Sequence, residues 1–319
     1  MSTPETDASA PKATPALPPP THSSPAARGV LASAVCYLLW GLVPLYWKQL
    51  AGIHPVELIA HRHLWSLALV GIILLAQRRG SEVASALNSI GAIGRNLLSG
   101  TLLTTNWLVY VWGVNTGHVI ETSLGYFLVP LVNVAIGRLM LQEHLRRIQW
   151  LAIGLASLGV ALMIAQLNRP PWIALALAGS WSSYALMKKQ SPLGPLVGLT
   201  VETLLLAPLA LAFLLWQQVG GVGALGRINP IQHALVFSSG LITALPLLLF
   251  AYGARRIRLS TLGLLQYIAP TVQFILAVWY YREPLSRDRA LGFGFIWAGL
   301  ILYTADNLYS LRQSVRLNQ

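Results

Sequence analysis

Charge and sulfur are scarce in this sequence. Of its 319 residues only 10% are Asp, Glu, Lys or Arg, where a soluble domain carries about 25%. A globule with so few charged groups could not cover its surface with them, which excludes an ordinary soluble enzyme. A single cysteine, Cys36, allows no internal disulfide and no thiol pair for a metal site. Acidic residues number 10 against 22 basic ones, a formal net charge of +12. Such a surplus can mark a nucleic-acid binder. Here the basic residues sit in short clusters between apolar runs, so no nucleic-acid partner is expected. The sequence also lacks a Walker A loop, a GxGxxG turn, a catalytic serine motif and an HExxH pair. No cofactor, no metal and no enzymatic activity are expected.

What is abundant is apolar: 55% of the residues are hydrophobic. Residues 1–27 are the exception, a Pro-, Ala-, Ser- and Thr-rich stretch containing Pro18-Pro19-Pro20. Too polar to pack, they read as a disordered cytoplasmic tail, and they lack the basic start and adjoining short apolar stretch of a signal peptide. Beyond them, apolar runs predict helices near 30–50, 56–77, 96–116, 119–142, 148–166, 171–187, 195–218, 233–253, 261–281 and 290–309. About 20 residues of helix cross a bilayer, so the expected fold class is an all-α membrane protein with ten transmembrane helices. Residues 311–319 form a short second tail. Lys and Arg concentrate on the cytoplasmic side of such proteins. With both termini inside, fifteen basic residues fall inside, six outside, and Arg62 within a span.

The chain also repeats itself. Residues 99–163 slide without a gap onto 239–303 with 14 identities in 65 positions. Gly113 meets Gly253, Pro130 meets Pro270, Glu143 meets Glu283 and Gly159 meets Gly299. Nearer the start of each half, Trp40 falls on Trp181 and Lys48 on Lys189 at an offset of 141. The unit is five helices, residues 28–168 and then 169–310. Five is odd, so the second copy must lie upside down relative to the first. Inverted repeats are the plan of secondary transporters, whose site lies near the midplane between the halves.

Several stretches now carry a family likeness. They are Asn106-Trp107, Trp112-Gly113-Val114-Asn115, Glu121-Thr122-Ser123-Leu124-Gly125-Tyr126-Phe127, Arg258-Leu259-Ser260-Thr261-Leu262-Gly263, Gln266-Tyr267-Ile268-Ala269-Pro270-Thr271, His61-Arg62 with Trp65, and Phe295-Ile296-Trp297. Over about residues 28–310 the chain resembles the RarD proteins of the EamA branch of the drug/metabolite transporter superfamily. One departure is Gln142 before Glu143, where the family usually has Gly. The resemblance implies a ten-helix permease of the bacterial inner membrane. Such proteins are linked by name to chloramphenicol sensitivity, which defines no substrate.

Ionisable residues at mid-span cost about 2.5–3.5 kcal/mol on insertion scales and rarely persist without a role or a partner. Here they are Arg62, flanked by His61 and His63, and Glu202, which falls on His61 at offset 141. Each is either a charged group facing a wet cavity or a tie to neighbouring helices. His61 and His63 point about 200° apart on a helix, so they do not share one metal ion. Glu57 lies four residues before His61 and can pair with it. Glu121 opens the fourth span, where an acid also suits the helix dipole. His61, Glu121 and Glu202 are the candidates for proton coupling.

Thr122, Tyr126, Asn133 and Gly137 share one face of the fourth span, and Gln266 and Gln273 occupy the repeat positions of Tyr126 and Asn133. Between each pair stands a proline, Pro130 or Pro270, which frees the carbonyl four residues back. Such a face serves either a central cavity or hydrogen-bonded helix packing. The expected substrate site is Trp40, Arg62, Trp107, Tyr126, Asn133, Gln266 and Gln273. The tryptophans would offer apolar faces and Arg62 would favour a negative group.

The expected function is transport of a small amphiphilic metabolite or drug by alternating access, in the outward direction. The alternative is a facilitative channel-like or sensory membrane protein without proton coupling. The expected partners are that solute, the lipid bilayer, and a second copy met through the fifth or tenth span.

Overall fold

The computed structural model describes residues 24–50, 52–116, 118–165, 170–280, 282 and 287–317. The expected N-terminal tail up to residue 23, and Glu283 with its loop, lie outside the described residues. Among these all regular structure is helical. The helices are α1 (Pro25–Trp47), α2 (Pro55–Ala76), α3 (Gly80–Leu87), α4 (Ile90–Asn115), α5 (Val119–Leu139) and α6 (Arg147–Ile164). They continue as α7 (Trp172–Gln190), α8 (Pro195–Val219), α9 (Pro230–Ala254), α10 (Leu259–Gln266), α11 (Ile268–Ile275) and α12 (Arg287–Leu317).

The helix starts are written in the sequence. α1, α2, α8 and α9 each begin on a proline, where the missing N–H has no helical partner to lose. Asn229 accepts from Gln232 N at 2.8 Å while the Gln232 side chain accepts from Asn229 N at 3.2 Å, a reciprocal cap for α9. Short α3, which the apolar pattern does not announce, buries Val83 and Ala86.

Among the described residues, seven helical segments are long and apolar enough to cross a membrane, α2, α6, α8 and α9 being four of them. α4 and α7 are long enough but not among the seven, because they carry Asn96, Thr104, Thr105 and Asn106, and Ser180, Ser182 and Ser183. For α7 the reason is its place: Ile173, Leu177, Ala178, Trp181, Tyr184 and Ala185 are all buried, so protein rather than lipid surrounds most of it. In α12 the apolar part, Ala290–Asp306, is short, and the helix runs on to Leu317.

Packing brings distant segments together. α2 lies against α8 and α9, α4 against α7 and α8, α5 against α7 and α10, α1 against α9 and α11, and α6 against α12. The α6–α12 crossing is built on absent side chains. A Cβ on Gly159 would stand 2.5 Å from the Gly292 carbonyl oxygen, and one on Gly299 2.5 Å from that of Ala152. Without driving force from water, close backbone approach is what holds helices together in lipid. An aromatic cluster closes the centre: Trp40 meets Trp181 at 5.1 Å and Phe250 at 5.8 Å, and Tyr184 stacks on Phe250 at 5.9 Å.

The two prolines act differently. α5 runs unbroken through Pro130. The ninth expected span instead breaks at Tyr267, and Pro270 is the third residue of α11. There, in the first turn, its missing N–H costs no hydrogen bond.

The crossing yields a test. Gly159→Ala and Gly299→Ala should each destabilise the protein by about 1–3 kcal/mol, the usual cost of overpacking. Gly154→Ala, where a Cβ meets nothing within 4 Å, should be neutral. Denaturant unfolding in mixed micelles measures all three.

Candidate functional site

Between α2, α4, α8 and α9 lies a small cavity of about 20 Å³, lined by His63, Thr104, Trp107, Glu202, Thr203 and Thr243 together with Leu103, Leu199 and Leu247, room for about one water. Its wall combines one aromatic face, several hydroxyls and one carboxylate. His63 Nε2 lies 3.0 Å from the Thr203 carbonyl oxygen. A carbonyl only accepts, so Nε2 carries the proton.

Arg62 stands beside this cavity. Its guanidinium carbon lies 3.4 Å from the Trp107 ring centroid and 5.8 Å from that of Trp47. Its Nε is buried without a hydrogen-bond partner, and among the described residues no carboxylate forms an ion pair with it. Stacking on an indole is worth about 2 kcal/mol to a desolvated cation but leaves its charge uncompensated. Next to Trp107, Asn106 donates to the Leu177 carbonyl and to Ser180 Oγ, both at 2.9 Å, and accepts from Tyr126 Oη at 3.3 Å. Arg62, Trp107 and Tyr126 thus come together as one polar and aromatic corner where α2, α4, α5 and α7 meet.

Glu202 is held otherwise. Lys188 Nζ lies 2.5 Å from Oε1, both side chains being at most 6% exposed, and Ser99 Oγ donates to the same oxygen. Oε2 is buried with no hydrogen-bond partner. Lys188, counted from sequence among the inside-facing loop cations, is a buried residue.

The other acids hold backbone. Glu57 accepts from Ala224 N at 2.6 Å and lies 3.7 Å from His61. Glu121 accepts from Ile173 N at 3.0 Å, at the start of α7. Glu143 accepts from Leu259 N at 2.6 Å, Ser260 N at 3.1 Å and Ser260 Oγ at 2.6 Å, at the start of α10. Carboxylates suit helix N-termini, whose first N–H groups lack partners.

The remaining expected site residues lie apart from the cavity. Trp40 belongs to the central aromatic cluster. Asn133 is fully buried with its Cβ facing Gly263 across the α5–α10 contact. Gln266 is buried, and the exposed Gln273 donates to the Trp40 carbonyl at 3.3 Å. Thr122 packs against Gly113 and Gly137 against Glu143. Of the α5 polar face only Tyr126 reaches the Arg62 corner. Sequence reasoning missed Ser99, Thr104, Lys188, Thr203 and Thr243 as neighbours of a cavity. Glu202 was the available signal, since a buried acid needs a donor.

A model of the EamA-like transporter family matches the chain twice, over residues 27–165 and 170–305. Protein RarD of Streptomyces exfoliatus is 44% identical over 287 residues, 90% of this chain and 91% of that protein. The uncharacterized transporter YojE of Bacillus subtilis (strain 168) is 41% identical over 290 residues, 90% of this chain and 97% of that protein. A crystal structure of a protein 20% identical in sequence superposes with a TM-score of 0.68, covering 87% of this chain and 97% of the other, a likeness of fold.

The cavity and the α5 face can be told apart chemically. In a Cys36→Ser background, Thr104→Cys, at a half-buried position on the cavity wall, should react with a small aqueous thiol reagent at least about tenfold faster than Asn133→Cys at a fully buried one, because a thiol in apolar surroundings ionises less readily. Mass spectrometry of the labelled protein gives the rates.

Proposed function

The chain belongs to the EamA-like transporter family, and from that premise we propose that it is a secondary transporter for a small amphiphilic solute with an anionic group. It is an integral membrane protein with several membrane-spanning helices. The observation that carries the substrate reading is Arg62, a cation stacked on Trp107 at 3.4 Å beside an interior cavity, with no ion pair to an acid among the described residues. A carboxylate or similar anion would accept the orphaned Nε–H, while Trp107 takes the flat or apolar body of the solute.

The working cycle is alternating access between two inverted five-helix repeats, ten spans in all, with both termini in the cytoplasm and the chain in the bacterial inner membrane. Helix pairing supports the repeat. Exchanging α1, α2, α4, α5 and α6 for α7, α8, α9, α10–α11 and α12 turns α1–α9 into α7–α4, α5–α7 into α10–α11 with α1, and α2–α9 into α8–α4. The pairs α2–α8, α5–α10 and α6–α12 map onto themselves. The double family match supports it too. Transport runs outward, driven by a proton or solute gradient. A second copy would dock on the apolar outer face of α6, where Trp150, Leu151 and Leu158 are exposed.

Two measurements test this reading. A tag within residues 220–230 should be reached from outside the cell and one after Gln319 only from inside; the reverse sinks the topology. For the substrate, purified protein in proteoliposomes is offered aryl carboxylates paired with their neutral amides. At least one carboxylate should move at least about tenfold faster than its amide, a difference of about 1.4 kcal/mol, and Arg62→Gln should abolish that preference. Equal flux of acid and amide defeats the anion assignment.

A further inference from the structure

We propose that Glu202 is the proton-binding site of this transporter and that its pair with Lys188 is the latch that the proton opens. The inference rests on the transport reading above and selects one of its three coupling candidates. Glu121 and Glu57, the latter beside His61, are engaged by backbone N–H groups, at the start of α7 and in the loop before α9 respectively. Neither they nor His61 line the cavity, whereas Glu202 does. Its two oxygens are unequal. Oε1 receives Lys188 and Ser99, and Oε2 is buried with nothing bound to it. A carboxylate oxygen without a donor, on a residue that lines the cavity, is a vacant acceptor for one proton.

The groups around Glu202 decide what that proton does. α7 brings Lys188 and Tyr184, whose ring centroid lies 5.3 Å from Lys188 Nζ. α2 brings His63, which faces the same cavity, and α9 brings the neutral Thr243. α4 brings Ser99 and, near Lys188, the neutral Asn96. Arg79 and Glu82, where α3 begins beside α8, bind each other. Lys188 therefore has Glu202 as its carboxylate. Protonation of Oε2 from water turns Glu202 into a neutral acid and leaves Lys188 as a buried cation without a counter-charge, a state that is strongly unfavourable. Lys188 is two residues from the end of α7, so its release toward that end breaks the tie between α7 and Glu202 of α8. The proton in the cavity and the parting of the helix ends become one event.

The test needs no substrate. Full-length protein in lipid nanodiscs is followed by hydrogen–deuterium exchange from about pH 8 to about pH 5, corrected for intrinsic rates. Exchange in residues 184–204 should rise at least about tenfold on acidification. The double variant E202Q/K188M, neutral at both positions, should remain protected with no acid step. Lys188→Met alone should lose or reverse the step, because acid then neutralises the one buried charge instead of exposing one, and Ser99→Ala should move the step to higher pH, because it removes a hydrogen-bond partner of the charged form. A flat wild-type profile, an unchanged step in the double variant, or no shift in Ser99→Ala overturns the proposal. Flux of a carboxylate that persists through any of these results leaves the transporter reading standing, so the two failures are distinguishable.

Discussion

Inside a bilayer, water is not available to satisfy a polar group, so the protein must supply every partner itself. This chain meets that requirement with very few ions. Of its 10 acidic residues, Glu57, Glu121 and Glu143 each accept backbone N–H groups where a helix or loop begins. Glu82 and Asp306 pair with Arg79 and Arg146. Glu202 takes Lys188. Against that background Arg62 stands out, because its neighbours are two indoles rather than a carboxylate. The scarcity of acid noticed in the composition therefore has a local meaning. Each of these six acids has a structural partner, and the interior arginine is left with a charge for something else to answer.

The same constraint explains where the cavity opens. Helices packed through small residues, such as Gly159 against Gly292 and Gly299 against Ala152, approach so closely that nothing fits between them. α5 is consumed in this way, with Gly125 on Leu177 and Asn133 on Gly263. Space remains where α2, α4, α8 and α9 meet, and there the wall is made of hydroxyls, an indole and Glu202. Threonines at that wall can return their hydroxyl to their own helix, as Thr203 does to Leu199 at 2.8 Å. They present a surface that tolerates either solute or water.

Much of this was legible in the sequence. Apolar runs announced the helices, prolines their starts, and the 140-residue offset a relation between halves that helix pairing respects. Arg62, Trp107 and Tyr126 were named from pattern and do come together. Less legible was which polar face meets a cavity and which meets another helix. Asn133 and Gln266 satisfy the same periodicity as Tyr126, yet both are buried where α5 and α10 pack. Periodicity records that a face is not lipid-facing, and a neighbouring helix and a cavity exclude lipid equally well. Lys188 shows the limit of charge counting, since a lysine at a helix end can turn inward if an acid about two turns into the next helix waits for it.

The repeat also shows how a symmetric frame acquires a direction. At the 141-residue offset Glu202 is matched by His61 and Thr203 by Arg62. α2 and α8 pack directly on each other, so the matched positions face one another across a single helix pair. From their helix starts at Pro55 and Pro195, Arg62 and Glu202 are each about 10 Å along. One position of the pair holds a fixed cation on an indole, and the other a carboxylate tied to a lysine. If the two halves carried the same residues, both openings of the cavity would respond alike to a proton or an anion. With Arg62 on one helix and the Glu202–Lys188 pair on the other, the proposed anion would meet the first and the proposed proton the second. A cavity that can be addressed separately from each side is what alternating access requires.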